Sequence, residues 1–175
     1  VVLKPATQTP VCAVLLAECV HAAGVPPAVF QVIVGPSAAF GEELLANPLC
    51  RKITFTGSTE VGRVLIRGAA ASVKPLSLEL GGHAPVLVFA DADLDAAVEG
   101  AMVAKFRNTG QSCIAANRVL VERPVYERFL EAFVAKARSL KVGDGLEPGV
   151  DIGPLFDEAG VAKAIEHVED AVAAG

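Results

Sequence analysis

The 175-residue chain has a formal net charge of −5, is 53% hydrophobic and 20% charged, and has a mean hydropathy of +0.50. Such a chain can bury a core and is not intrinsically disordered, and its acidity offers no basic stripe for nucleic-acid phosphates. The longest stretch without Asp, Glu, Lys or Arg, residues 19–41, is broken by Gly24, Pro26, Pro27, Gly35 and Pro36, so it is no spanning helix.

Residues 1–3 read as the end of a buried strand. Thr9-Pro10 opens a helix with an N-cap and Pro at its first position, and Gly24 stops it. A β-branched strand follows over 29–34, then a short helix over 38–46 that ends at Asn47-Pro48. Residues 52–56 form a strand, Gly57 a turn, and Ser58-Thr59-Glu60 the cap of a helix reaching about Ala71. This βαβαβα order predicts a parallel sheet covered by helices. Strands follow over 76–80 and 86–89, then a helix from Asp93 to about Phe106 and a polar loop over 108–113. A strand over 118–122, a periodic helix from Pro124 to about Leu140, an ordered loop over 142–155 and a helix from Asp157 complete the chain. Gly81-Gly82 is the natural boundary between two halves.

Both ends read as cut. The chain starts on Val1 in an apolar run and stops on Ala173-Ala174-Gly175 after an amphipathic pattern, which predicts an excerpt of a longer polypeptide. The four cysteines, at 12, 19, 50 and 113, have neither CxxC nor zinc spacing; this predicts a reducing, cytoplasmic setting and no metal site. Cys12 and Cys19, within one helix, are expected in the core.

Four places could carry chemistry. The strand–turn–helix FTGSTEVG at 55–62 directs N–H groups and a helix dipole at an anion such as a pyrophosphate, though it is neither GxGxxG nor a P-loop. Glu79, between two leucines at a strand end, is a candidate general base, because a carboxylate held partly out of water titrates higher. Cys113 lies in a polar, Gly-containing loop unlike the settings of the other cysteines, as a nucleophile requires. Arg107, just past an apolar helix end, could grip a substrate carboxylate through two hydrogen bonds. Each has an ordinary reading too: a plain βα turn, a solvated Glu, an inert thiol, a helix-end charge.

Together, in this order, the motifs KPATQTP at 4–10, FTGSTEVG at 55–62, LELGG at 78–82 and GQSC at 110–113 resemble the aldehyde dehydrogenase superfamily over essentially the whole chain. KFRNTGQSC at 105–113 and LELGGHAPVLVFADADLD at 78–95 resemble its succinate-semialdehyde dehydrogenase branch. The resemblance implies an α/β fold with part of a Rossmann-type NAD(P)-binding domain at 1–80 and part of an α/β catalytic domain at 81–175. It implies Cys113 as the nucleophile that forms a thiohemiacetal and then a thioester, with its backbone N–H holding the oxyanion. It implies Glu79 as the base that activates water. Lys4 and Thr7 then lie at the adenosine ribose, Gly57 and Ser58 at the pyrophosphate, and Leu80 and Gly81 near the nicotinamide. Relatives that prefer NAD often carry Glu where Thr7 stands, so the resemblance favours NADP, with NAD as the alternative. Arg107 matches the residue that pairs with the far carboxylate of succinate semialdehyde.

The implied partner is a small aldehyde, not a nucleic acid or a membrane, and the parent is a homo-oligomer. The family's oxyanion-hole Asn falls before Val1 and its ribose-binding Glu after Gly175, so this piece alone is expected to be inactive. Alternatives are another carboxylated aldehyde such as glutarate semialdehyde, acyl transfer to coenzyme A, and a non-catalytic cofactor-binding remnant. The histidines, His21, His83 and His167, are assigned no role.

Overall fold

All six strands pair in parallel, in three separate two-stranded ladders. The computed structural model describes residues 1–175 and divides into two compact units, Val1–Leu80 and Gly81–Gly175. Parallel partners need a crossover between them, and helices supply it.

The first unit runs β1 (Val2–Leu3), α1 (Val11–Ala22), β2 (Gln31–Val32), α2 (Ser37–Ala46), β3 (Ile53–Thr56), α3 (Thr59–Ala70) and β4 (Leu76–Glu79). β1 pairs with β2, and β3 with β4. The strand expected over 29–34 is reduced to two paired residues, because β1 offers only Val2 and Leu3 as partners. Val1 and Val2, expected to be buried, are exposed. α1 starts with Pro10 rather than Thr9 at its N-cap, and no side chain caps it. It ends as expected at Gly24, whose φ of 88° suits glycine. Cys12 and Cys19 are exposed on α1 instead of buried in a core, and Ala17 is the helix's one buried residue. His21 Nε2 lies 2.9 Å from the Phe30 carbonyl; a carbonyl only accepts, so this nitrogen carries the proton.

The join between α2, α3 and β4 is polar. α3 ends with Lys74 N–H donating to Ala69 O and Val73 N–H to Ala70 O, both at 3.2 Å. These are the two bonds of a Schellman closure, with Val73 at φ 50° where glycine is usual. The closure carries Lys74 inward. Its buried ammonium donates to the carbonyls of Leu44, Leu45 and Asn47 at 2.6, 2.8 and 2.8 Å, satisfying the orphan end of α2.

The second unit runs β5 (Ala84–Val88), α4 (Leu94–Phe106), a tight left-handed turn (Arg107–Gly110), β6 (Ala116–Val121), a 3₁₀ turn (Arg123–Val125), α5 (Tyr126–Ser139) and α6 (Glu158–Ala174). Asp93 and Asp157 cap α4 and α6, accepting from the N–H of Ala96 and Gly160. Val88, Val98, Ala101, Met102 and Phe129 form the core, with Phe106 and Phe133 packed against it. The rings of Phe129 and Phe133 stack at 5.8 Å. The loop after α5 is ordered: Lys141 N–H donates to Asp151 Oδ2, and Val142 bridges Ile152. No helix is long and apolar enough to cross a membrane.

Candidate active site and family

β3 and β4 run in register, with Thr56 opposite Glu79, and the Gly57 N–H extends the ladder to the Glu79 carbonyl at 3.0 Å. The turn that opens α3 and the strand end that carries Glu79 are therefore one hydrogen-bonded unit. A Cβ at Gly57 would lie 2.4 Å from the tip of the Phe55 ring, which would have to swing aside. The donors at the start of α3 are fewer than the sequence suggests. Gly57 N–H is taken by Glu79 O, and Val61 N–H by the Ser58 hydroxyl at 3.3 Å. The Glu60 carboxylate binds its own backbone N–H and the Ser58 hydroxyl, which holds it below the usual glutamate range. The Ser58 and Thr59 amides donate no hydrogen bond within the chain.

Lys4 and Thr7 are brought together: the ammonium donates to the Pro5 carbonyl at 2.8 Å and meets Thr7 Oγ1 at 3.4 Å. Leu80 folds its side chain over Gly62 of α3, where a Cβ would sit 2.9 Å from Leu80 Cδ2. A Cβ at Gly81 would meet nothing within 4 Å. Glu79 is exposed and makes no side-chain hydrogen bond, so the partial burial expected of a base is not supplied by this chain.

In the second unit, Arg107 is the C-cap of α4, exposed and without an ion pair. Three successive residues then take left-handed backbone: Asn108 (φ 55°), Thr109 (φ 59°) and Gly110 (φ 74°). Cys113 follows as an exposed free thiol, with buried Ala115 and Ala116 behind it. Cys12 and Cys19 are exposed as well, so accessibility alone does not distinguish Cys113. No set of three His, Cys, Asp or Glu side chains is placed to hold a metal ion.

Sequence reasoning missed the polar ties around this loop. β5 and β6 slip register at Ala84/Pro85, and the slip leaves Asn117 without a ladder partner. Pro85 has no N–H to give the ladder, and a proline inside a strand is the signal that could have announced this bulge. Asn117 Oδ1 accepts from Lys105 at 3.1 Å, while its Nδ2 donates to Gly82 O at 3.4 Å and lies 3.2 Å from His83 Nδ1. Lysine is only a donor, so it fixes the amide's orientation, and His83 Nδ1 is then the acceptor. Gly82 in turn passes close to the Cys113 carbonyl, 3.9 Å from where a Cβ would stand.

The family model for the aldehyde dehydrogenase family matches residues 1–175. The chain is 56% identical to the succinate-semialdehyde dehydrogenase [NADP(+)] of Escherichia coli K12 over 174 residues, 99% of this chain and 36% of that protein. It is 53% identical to a glutarate-semialdehyde dehydrogenase of Pseudomonas aeruginosa, over the same shares of each chain. A crystal structure described as an E. coli NADP dependent enzyme superposes with a TM-score of 0.97 at 56% identity, covering 99% of this chain and 36% of the other. The chain thus spans about a third of the length of the relatives it matches. A family match over all 175 residues and near-identical backbone in a solved relative lead to one conclusion: the chain belongs to the aldehyde dehydrogenase family.

Proposed function

We propose that this chain is part of an NAD(P)-dependent dehydrogenase that oxidises a carboxylated aldehyde, with succinate semialdehyde as substrate and succinate as product. The observation that carries the reading is Cys113. It is a free, exposed thiol on a strained loop, in a chain that matches the aldehyde dehydrogenase family from end to end. In this proposal residues 1–80 contribute to cofactor binding and residues 81–175 to catalysis.

The thiolate of Cys113 adds to the aldehyde carbon, and its backbone N–H, which has no acceptor within the chain, steadies the resulting oxyanion. A nicotinamide cofactor held by Lys4, Thr7 and the turn at Ser58 would, when bound, supply the hydride acceptor that oxidation of the Cys113 thiohemiacetal to a thioester requires. Glu79 takes a proton from water, water adds to the thioester carbonyl, and the carboxylic acid leaves Cys113 as a thiolate again. A thiol acceptor such as coenzyme A would need no such base, so Glu79 favours hydrolysis over acyl transfer. Arg107, unpaired within the chain, meets the distant carboxylate.

The residues present fit a dinucleotide. A cation beside a hydroxyl, Lys4 and Thr7, suits a ribose carrying a phosphate, and the Ser58 and Thr59 amides suit a pyrophosphate. Thr7 brings no carboxylate to repel a 2′-phosphate, which favours NADP, the cofactor for which the E. coli relative is named. Glutarate semialdehyde is the second reading, favoured by the Pseudomonas relative, because Arg107 recognises a carboxylate without measuring chain length.

The test is an assay of the native full-length protein with succinate semialdehyde, glutarate semialdehyde, an uncharged aldehyde and both cofactors. Reduction of NADP with the first substrate is expected. Arg107→Ala should raise KM for the semialdehyde far more than for the uncharged aldehyde. Equal effects on both would remove Arg107 from the site, and no turnover of any aldehyde would sink the enzyme reading.

A further inference from the structure

The left-handed run at 108–110 contains one residue that does not belong there. Asn and Gly visit this region at little cost, but a β-branched threonine does not. Thr109 nevertheless holds φ 59° and ψ 24°. Such a conformation persists only when its surroundings over-determine it. Here they do. Asn108 Nδ2 donates to Gln111 O at 2.9 Å, and Gln111 N–H returns to Asn108 O at 3.0 Å, closing the turn on itself.

Two further bonds leave the turn for a distant segment. Thr109 Oγ1 donates to Gly153 O at 3.4 Å, and Gln111 Oε1 accepts from Phe156 N–H at 3.1 Å. Residues 153–156 include Pro154, whose fixed φ stiffens the far side. Gln111 stands two residues before Cys113. The only residue of the run that pays a steric penalty is also the one whose hydroxyl reaches across, and an Asn or Gly there would lose that tie.

We propose that Thr109 and Gln111 are positioning residues: tied to Gly153 and Phe156, they hold the strained turn that sets where the Cys113 thiol points. This rests on the nucleophile reading of Cys113. Without the ties, Thr109 relaxes toward its ordinary basins, and the turn and the thiol move with it.

The experiment compares Thr109→Val, Thr109→Ser, Gln111→Met and Gln111→Glu in the native full-length protein. Hydrogen exchange at the Phe156 amide reads the tie itself, and Gln111→Met should speed it about tenfold or more. Iodoacetamide alkylation of Cys113, relative to Cys12, and kcat for succinate semialdehyde read the consequence. Thr109→Val and Gln111→Met should lower kcat roughly 100-fold with KM nearly unchanged, the cost of a small misplacement. Thr109→Ser and Gln111→Glu retain the hydroxyl and the acceptor oxygen and should recover most of the loss. Unchanged Phe156 exchange in Gln111→Met overturns the proposal. So do faster exchange with Cys113 alkylation and kcat left as in the wild type, and a Thr109→Ser variant as impaired as Thr109→Val. If the wild type turns over no aldehyde, the functional reading fails by itself; the alkylation ratio and Phe156 exchange still decide the tie.

Discussion

The two units hold themselves together differently. In Gly81–Gly175 the elements share an apolar cluster: Val88 of β5, Val98, Ala101 and Met102 of α4 and Phe129 of α5, backed by Phe106 and Phe133. In Val1–Leu80 the fully buried apolar side chains are few, Ala17, Ile53, Leu65 and Ala69; Leu45 and Leu80 pack on the glycines of α3, and polar ties also join the elements. Lys74 caps α2 from the end of α3, and His21 links α1 to Phe30. α1 leaves Val11, Val14, Leu15 and Leu16 at least 40% exposed. The stability of the second unit should therefore follow side-chain volume, and that of the first unit hydrogen-bond satisfaction.

The strongest way to break this contrast is Phe129→Ala. Truncating a buried Phe typically costs about 3–5 kcal/mol, so denaturant melts and hydrogen exchange should show a large loss centred on α4 and α5. A cost below about 1 kcal/mol would mean the cluster does not hold the second unit. Next comes Lys74→Met, which leaves three carbonyls without their donor. About 1–3 kcal/mol is expected, with faster amide exchange at the end of α2 and no change at Phe129. Smaller, and opposite in sign, is Val73→Gly. Relieving a left-handed β-branched residue should raise stability by about 1 kcal/mol in the same melts, and a loss would show that the strain is not real.

The smallest effect is a pH response in each unit. Glu60, held by its own N–H and Ser58, and Glu166, held by Lys163, both titrate below the ordinary value of 4.5. A carboxyl depressed in the folded state stabilises above 4.5, and that contribution fades as pH falls through the folded value. Both groups are fully exposed, so the effect is slight. Glu166→Gln should remove a salt-sensitive part of the acid response, and Glu60→Gln a part that salt changes less, because Lys163 is a charge whereas Glu60 is held chiefly by dipoles, with Arg63 the smallest contributor. Identical salt dependence would erase the distinction.

Some of this was legible in the chain because it is local. Ser58, Asp93 and Asp157 each cap a helix through an N–H three residues on, a contact that needs no tertiary partner. Gly24 at positive φ and Asn47 in extended backbone before Pro48 follow from the residues themselves. The parallel pairing follows from alternating strands and helices. Family membership was legible for another reason: four motifs in a fixed order are improbable together, although each alone has an ordinary explanation.

What depended on distant partners was not legible. The length of β2 was decided by the two residues β1 offers it, not by the β-branched run at 29–34. The exposure of Cys12, Cys19 and Glu79 was decided by what packs against them, which a helical or strand period does not specify. Lys74 reaches carbonyls 27 to 30 residues away, and Thr109 a carbonyl 44 residues away. The sequence alone determined the caps of α3, α4 and α6, the stop of α1 at Gly24 and the family, because those depend on neighbours along the chain. Only the tertiary structure decided burial, strand extent and the ties that hold the Cys113 loop, because a hydrogen bond between remote segments exists only after the chain has brought them together.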